Sequence, residues 1–182
     1  MNTQQIAALA LVALLVFWMV GAYNRMMALR NEIKVAWGRI DDALKLRDKA
    51  AQPLLAALQE PLASEQGALQ TAQAALAEVA RTAATMSAKP VEEAHAAAWV
   101  AAEATLSAAA SRVFALAEQS AEALRGQEAV SVGIGGWREA ESQLAFARQR
   151  FNETAQAYNE AIALFPTRLL VPMFRFERAG RV

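Results

Sequence analysis

Cysteine is absent from the 182 residues of this chain. No disulfide, thiolate nucleophile or cysteine-based metal site can form, although that absence does not fix the compartment. Histidine occurs once, at His95. A metal or acid–base role would need partners on neighbouring positions. Its own helix offers Glu92, three residues before, and Glu103, two turns on. A surface or seam-edge position is the expected reading. A prevailing charge is missing too, since 18 basic and 18 acidic side chains cancel to a net charge of zero. No overall field then points to nucleic acid.

Paired carboxylates are lacking as a working unit. Asp41-Asp42 and Glu92-Glu93 are adjacent pairs. Neighbours on a helix project about 100° apart, so neither pair shares one face for acid–base work. Glu92-Glu93 suits the first turn of a helix. Asp41 with Lys45 makes an i,i+4 pair worth about 0.2–0.5 kcal/mol. Val132 to Gly136, VGIGG, lacks the Lys-Ser/Thr and the buried strand of a phosphate loop. Asn152-Glu153-Thr154 matches a glycosylation sequon but falls mid-helix. No internal repeat is evident. No catalytic residue, metal or cofactor is expected, and the chain reads as non-enzymatic. An enzyme would need carboxylates converging from different helices.

Charge is missing altogether from residues 1–24, and what stands there instead is an unbroken apolar run from Ile6 to Ala22. Its length is about 26 Å, slightly short of a hydrocarbon core. Asn2 to Gln5 and Tyr23-Asn24 extend it into the interfaces, and Trp18 and Tyr23 suit the C-terminal one. A cleaved signal peptide is the competing reading. It would want Lys or Arg before the run and a cleavage site followed by a loop. Here the helix signal simply continues. The expected division is a transmembrane anchor over 1–24, a helical bundle over 25–166 and a basic amphipathic tail over 167–182.

Apolar residues make up 55% of the chain, much of it alanine. Alanine favours helix and close helix approach while burying little area per residue. From Tyr23 to Leu58 a seam of Ile33, Trp37, Ile40, Leu44, Ala51, Leu54 and Leu58 steps by three and four once Arg47 is counted in its place. That is the heptad spacing of a helix packed along its length. Pro53 is expected to kink it and Pro61 to end it. A second helix is expected from Ser64, with the seam Leu69, Ala72, Leu76, Val79, Ala83 and Met86. A third is expected from Pro90, with Trp99, Ala102, Leu106, Ala109, Val113, Leu116 and Leu124, stopped at Gly126. Residues 126–136 do not read as helix and are expected to form the most mobile internal loop. The fourth helix is expected from Trp137, through Ala140, Leu144, Ala147, Phe151 and Tyr158 to Phe165. Pro166 ends it. Arg168, Arg175, Arg178 and Arg181 follow, mostly opposite Leu169, Met173 and Phe176, with Pro172 interrupting any regular helix.

Tyr23-Asn24, Leu29-Arg30-Asn31, Ala36-Trp37, Ile40-Asp41 and Leu44-Lys45 resemble the opening motif of the LemA family. Phe151-Asn152, Tyr158-Asn159, Ile162 and Phe165-Pro166 resemble its closing motif. The resemblance implies a bacterial, membrane-anchored helical bundle, and it brings no catalytic residues. The chain departs from the pattern at Leu46, which interrupts a basic run, at Lys49, which stands at an acidic position, and at Pro53, one residue late. It also lacks a phenylalanine-rich acidic ending.

The fold class that follows is all-α, with an N-terminal transmembrane helix continuing into an antiparallel bundle of about four long helices. In such a bundle the odd helices leave the membrane and the even ones return. Tyr23, Asn24, Arg30, Tyr158, Asn159, Arg168, Arg175 and Arg178 are then candidate interaction or membrane-proximal residues. Trp37, Ile40, Leu44, Phe151 and Phe165 are expected in the core. Asn24, Asn31, Asn152 and Asn159 are expected to hydrogen-bond between helices, and Arg47 to bond a carboxylate of another helix or snorkel. The expected function is to bind or organise partner proteins, or further copies of the chain, at the bacterial inner membrane. The alternative is membrane remodelling by self-assembly on lipid. Residues 6–22 would contact lipid. Arg25, Arg30 and Lys34 favour a cytoplasmic domain by the positive-inside rule, with a periplasmic domain as the alternative.

Overall fold

The computed structural model describes residues 2–122 and 124–182. One helix, α1, runs from Thr3 to Ala57. A 3-10 turn at Ala63–Glu65 leads into α2, Gln66–Ala88. The remaining long helices are α3, Glu93–Gln119, and α4, Glu128–Ala163. A 3-10 turn at Thr167–Leu169 and a single turn of helix, α5, Val171–Phe174, close the helical part. The described residues hold no strand, so the chain is an all-α bundle behind a long apolar helix.

The two halves of α1 differ in what they touch. From Ile6 to Phe17 its large apolar side chains are exposed. From Met26 onward Ile33, Ala36, Trp37, Ile40, Ala43, Ala51 and Leu54 are buried. The N-terminal half is long and apolar enough to cross a membrane, with a mean hydropathy of 2.4 and 6% of that stretch buried. α3 also passes on length and apolarity, but 39% of its stretch is buried, which marks it as a core helix. Pro53 does not break α1. Leu54 and Leu55 beside it are buried, and their packing offsets the donor that proline removes.

The helices pair in two antiparallel sets, α1 with α4 and α2 with α3. The four meet at Trp37, which is 2% exposed. Its indole Nε1 donates to Ser87 Oγ of α2 at 2.9 Å. Its ring stands edge-on to Trp99 of α3, centroids 5.3 Å apart, and to Phe151 of α4, 5.9 Å apart. Leu44, Leu76 and Leu116 are only partly buried and pack against the rim of this core.

Several sequence expectations shift by a turn. The Ser64 side chain makes no cap hydrogen bond, because a 3-10 turn occupies 63–65 and the helix starts at Gln66. α3 starts at Glu93 rather than Pro90, since Glu92 is extended and serves as its N-cap. It ends at Gln119, so Leu124 is buried from the following turn instead of from the helix stripe. Gly126, at φ +82, bends the chain toward α4 instead of capping α3.

Two expectations are overturned. Residues 128–136 are helical rather than a loop, because α4 begins at Glu128. Glycine disfavours helix by up to about 1 kcal/mol per residue, but tertiary packing reverses that preference here. A Cβ on Gly133 would lie 2.7 Å from Leu54 Cβ, and one on Gly136 would lie 3.0 Å from Ala50 Cβ. The glycines let α4 approach α1 closely. Phe165 is the second case. It is 80% exposed, because α4 stops at Ala163 and Leu164 is already extended, so the helical stepping ends before Phe165 is reached.

Gly133→Ala should therefore lower stability by about 1–3 kcal/mol through overpacking against Leu54. Gly135→Ala, with nothing within 4 Å of its added Cβ, should raise stability by up to about 1 kcal/mol. Chemical denaturation of the full chain in detergent compares the two, and equal effects would contradict this packing.

Candidate functional site

The end of the bundle that adjoins the apolar segment gathers most of the candidate residues. α4 runs antiparallel to α1, with Phe151 edge-on to Trp37, Glu141 bonded to Arg47 and Gly133 against Leu54. Continued along both helices, this register brings Leu164 level with Asn24. Tyr23 is half-exposed, and its ring lies 4.9 Å from Phe174 and 6.2 Å from Phe176. The chain following α4 therefore packs where α1 enters the bundle. Leu164, Phe165, Leu169 and Met173 remain exposed there.

The tail does not form one amphipathic helix. After α5, Arg175 takes a left-handed conformation, φ 50 and ψ 47. That conformation is costly for a residue with a Cβ, and it reverses the chain. Residues 176–182 then run back over α3 and α4 as a strap, with Phe176, Ala179 and Gly180 buried. Asn159 holds the strap with both ends of its amide, donating from Nδ2 to Ala179 O at 2.9 Å and accepting from Ala179 N at 2.8 Å. Asn152 repeats this on Val182, at 2.6 and 2.8 Å. Seven residues of helix rise about 10.5 Å, and three residues of extended chain span nearly the same length, so the two amides match the strap's spacing. Ala179 also bridges to Glu92, and Gly180 fits against Ala96 and Glu93 where no Cβ could stand.

The asparagine expectation is thus corrected. Asn152 and Asn159 bond the backbone of the strap rather than another helix. Asn24 and Asn31 are exposed and make no side-chain hydrogen bond among the described residues. Tyr158 is completely buried, and its hydroxyl has no partner among the described residues. Burial pushes its pKa up, with Arg30 pulling it down and Glu177 raising it further. Arg30 and Arg175 line one hollow. Arg168 and Arg178 are exposed.

The middle of the bundle carries a second polar feature. Arg47 is 3% exposed and binds Glu103 of α3 with both nitrogens, Nη2 to Oε1 at 2.6 Å and Nη1 to Oε2 at 3.0 Å. Nη1 also donates to Glu141 Oε1 of α4 at 2.8 Å. Its guanidinium lies 5.4 Å from the Trp137 ring centroid. Burial alone would lower the Arg47 pKa, but the bonds from Glu103 and Glu141 outweigh it and hold the group charged. The cluster brings two carboxylates from different helices together, yet both are engaged by the same arginine. Asp41 pairs instead with Lys45, and Glu92 with Lys89 and His95. Among the described residues no three His, Asp or Glu side chains form a metal-holding group.

A bundle grown from a helix whose first half is exposed and apolar defines a class of proteins suited to membrane anchoring. The chain belongs to the LemA family, whose family model matches residues 36–181. Trp37, Arg47, Asn152 and Asn159 lie within the match, while Tyr23 to Asn31 precede it. No curated protein and no solved structure matches the chain.

Asn159→Ala should release the strap, lowering stability by about 1–3 kcal/mol and speeding amide exchange over 176–182. Hydrogen–deuterium exchange reads this, and unchanged protection at Ala179 would contradict it. Arg47→Leu should lower stability by about 3–5 kcal/mol, because Glu103, 7% exposed, is left buried without its partner. Adding Glu103→Leu should recover most of that loss in the same denaturation measurement.

Proposed function

We propose that this chain is a membrane-anchored, non-enzymatic bundle that binds or organises partner proteins at the bacterial inner membrane. The observation that carries the reading is the continuity of α1. The same helix supplies an exposed apolar half and the central seam of the bundle, so the bundle would stand at a fixed height and orientation above the bilayer. Support for a protein-binding role comes from the far end. A hollow of about 530 Å³ between the end of α3 and the start of α4 is lined by Phe114, Leu124, Val130 and Ile134. Surfaces of that chemistry suit an apolar side chain of a partner or of a second copy. Arg25, Arg30 and Lys34 after the apolar run favour a cytoplasmic bundle.

A second reading, action on lipid by self-assembly, is favoured by exposed Leu164, Phe165, Leu169 and Met173 at the end adjoining the apolar segment.

Mild crosslinking in native membranes, followed by purification of the full chain, tests the first reading. It expects a defined protein partner or oligomer whose yield falls with Ile134→Asp. Recovery of the uncrosslinked chain alone, together with tubulation of vesicles by the purified protein, would favour the second reading. Ser131→Cys places the only thiol of the chain at an exposed position of α4. Protection from an impermeant maleimide until spheroplasts are lysed is expected for a cytoplasmic bundle.

A further inference from the structure

At the end adjoining the apolar segment, α1, the α2–α3 turn and the strap enclose a hollow of about 500 Å³. Arg30 and Lys34 line it from α1, Lys89 from the turn, and Arg175 from the start of the strap, with Glu92 and Glu177 as the acidic groups. Glu92 is already engaged, by Lys89 Nζ at 3.1 Å and His95 Nε2 at 2.9 Å. Arg30, Lys34 and Arg175 form no ion pair among the described residues. The hollow therefore holds more cationic donors than its own carboxylates satisfy. Three separate segments of the chain converge to place them. The left-handed turn at Arg175 and the clamp of Asn159 on Ala179 fix the strap's contribution.

Guanidinium forks and ammonium groups make a donor set suited to a phosphate group, which offers several charged acceptors at once.

We propose that this hollow binds a phosphate group, carried by an anionic phospholipid headgroup or by a free phosphate. Its height accommodates either source. Arg30 lies eight residues beyond Ala22, about 12 Å along the helix, and side chains on a helix lean toward its N-terminus, here toward the apolar segment. The headgroup layer reaches about 5–7 Å beyond the hydrocarbon on each side. Arg30 is thus within reach of headgroups, while Lys34 and Lys89 extend the hollow away from the bilayer. The inference does not rest on the partner-binding reading, because a phosphate site would operate with or without a protein partner.

The test uses the full chain in neutral detergent, by native mass spectrometry with added phosphatidylglycerol or phosphatidylcholine and by thermal melting with inorganic phosphate. Arg30→Gln with Arg175→Gln is compared with wild type and with Arg112→Gln, which lies at the far end beside Glu65. Preferential retention of phosphatidylglycerol, weakened about fivefold for each cation removed and unchanged by Arg112→Gln, supports the headgroup source. A phosphate-dependent rise in melting temperature that the double variant loses, without lipid preference, supports the free-phosphate source. Should the arginine pair fail to fold, Lys34→Gln with Lys89→Gln, both exposed, decides by the same readouts. Absence of both effects in wild type, or equal binding by wild type and the folded double variant, overturns the proposal.

Discussion

The aromatic junction at Trp37 is the contact on which the bundle depends. An alanine-rich core buries little area per residue, so a few large side chains must supply most of the apolar contact. Trp37 meets α2 through Ser87, α3 through Trp99 and α4 through Phe151. Edge-on aromatic pairs add about 0.5–1.5 kcal/mol beyond area burial, and their geometry sets the rotation of each helix. About three turns farther along α1, Arg47 ties α3 and α4 to the same helix through Glu103 and Glu141. Buried ion pairs add little net stability, yet a mispaired register would leave the charges unmatched at high cost. Apolar bulk at Trp37 and charge matching at Arg47 thus define one alignment of three helices.

Small residues determine how near those helices come. Gly133 and Gly136 sit where α4 crosses Leu54 and Ala50, and neither position has room for a Cβ without some shift. The α1–α4 pair is the most extensive in the bundle, and α1 is also the helix that carries the exposed apolar segment. Any displacement of α1 along its axis would be carried into the bundle through this pair. Packed interfaces deform little, which makes the bundle a rigid extension of the apolar helix.

The strap gives the end adjoining the apolar segment its chemistry. Phe176 and Ala179 pack into the core, and Asn152 and Asn159 fix the path of the strap between and beyond them. With the two amides, backbone groups that would be half-desolvated are paired, and Arg175 is held beside Arg30 across one hollow. A polar pair seven residues apart on α4 thereby places a cation supplied by a segment some twenty residues later in the chain.

Period and composition alone were enough for the all-α class, the four long seams, the apolar N-terminal run and the burial of Trp37, Ile40 and Phe151. These are local properties, since a three-and-four stepping of apolar residues leaves a helix one way to bury its stripe. Even Arg47 was legible as a seam residue that needed a carboxylate, although the identity of Glu103 and Glu141 was not, because they arrive from distant parts of the chain. Three features were decided only by the tertiary structure. The GIGG segment is helical because close approach to α1 outweighs glycine's local preference. Phe165 is exposed because α4 ends two residues before it. Asn152 and Asn159 clamp the tail because a reversal at Arg175, unmarked by glycine, brings it back over them. Each depends on contacts between residues far apart in sequence, and neither a local propensity nor a periodicity carries that information.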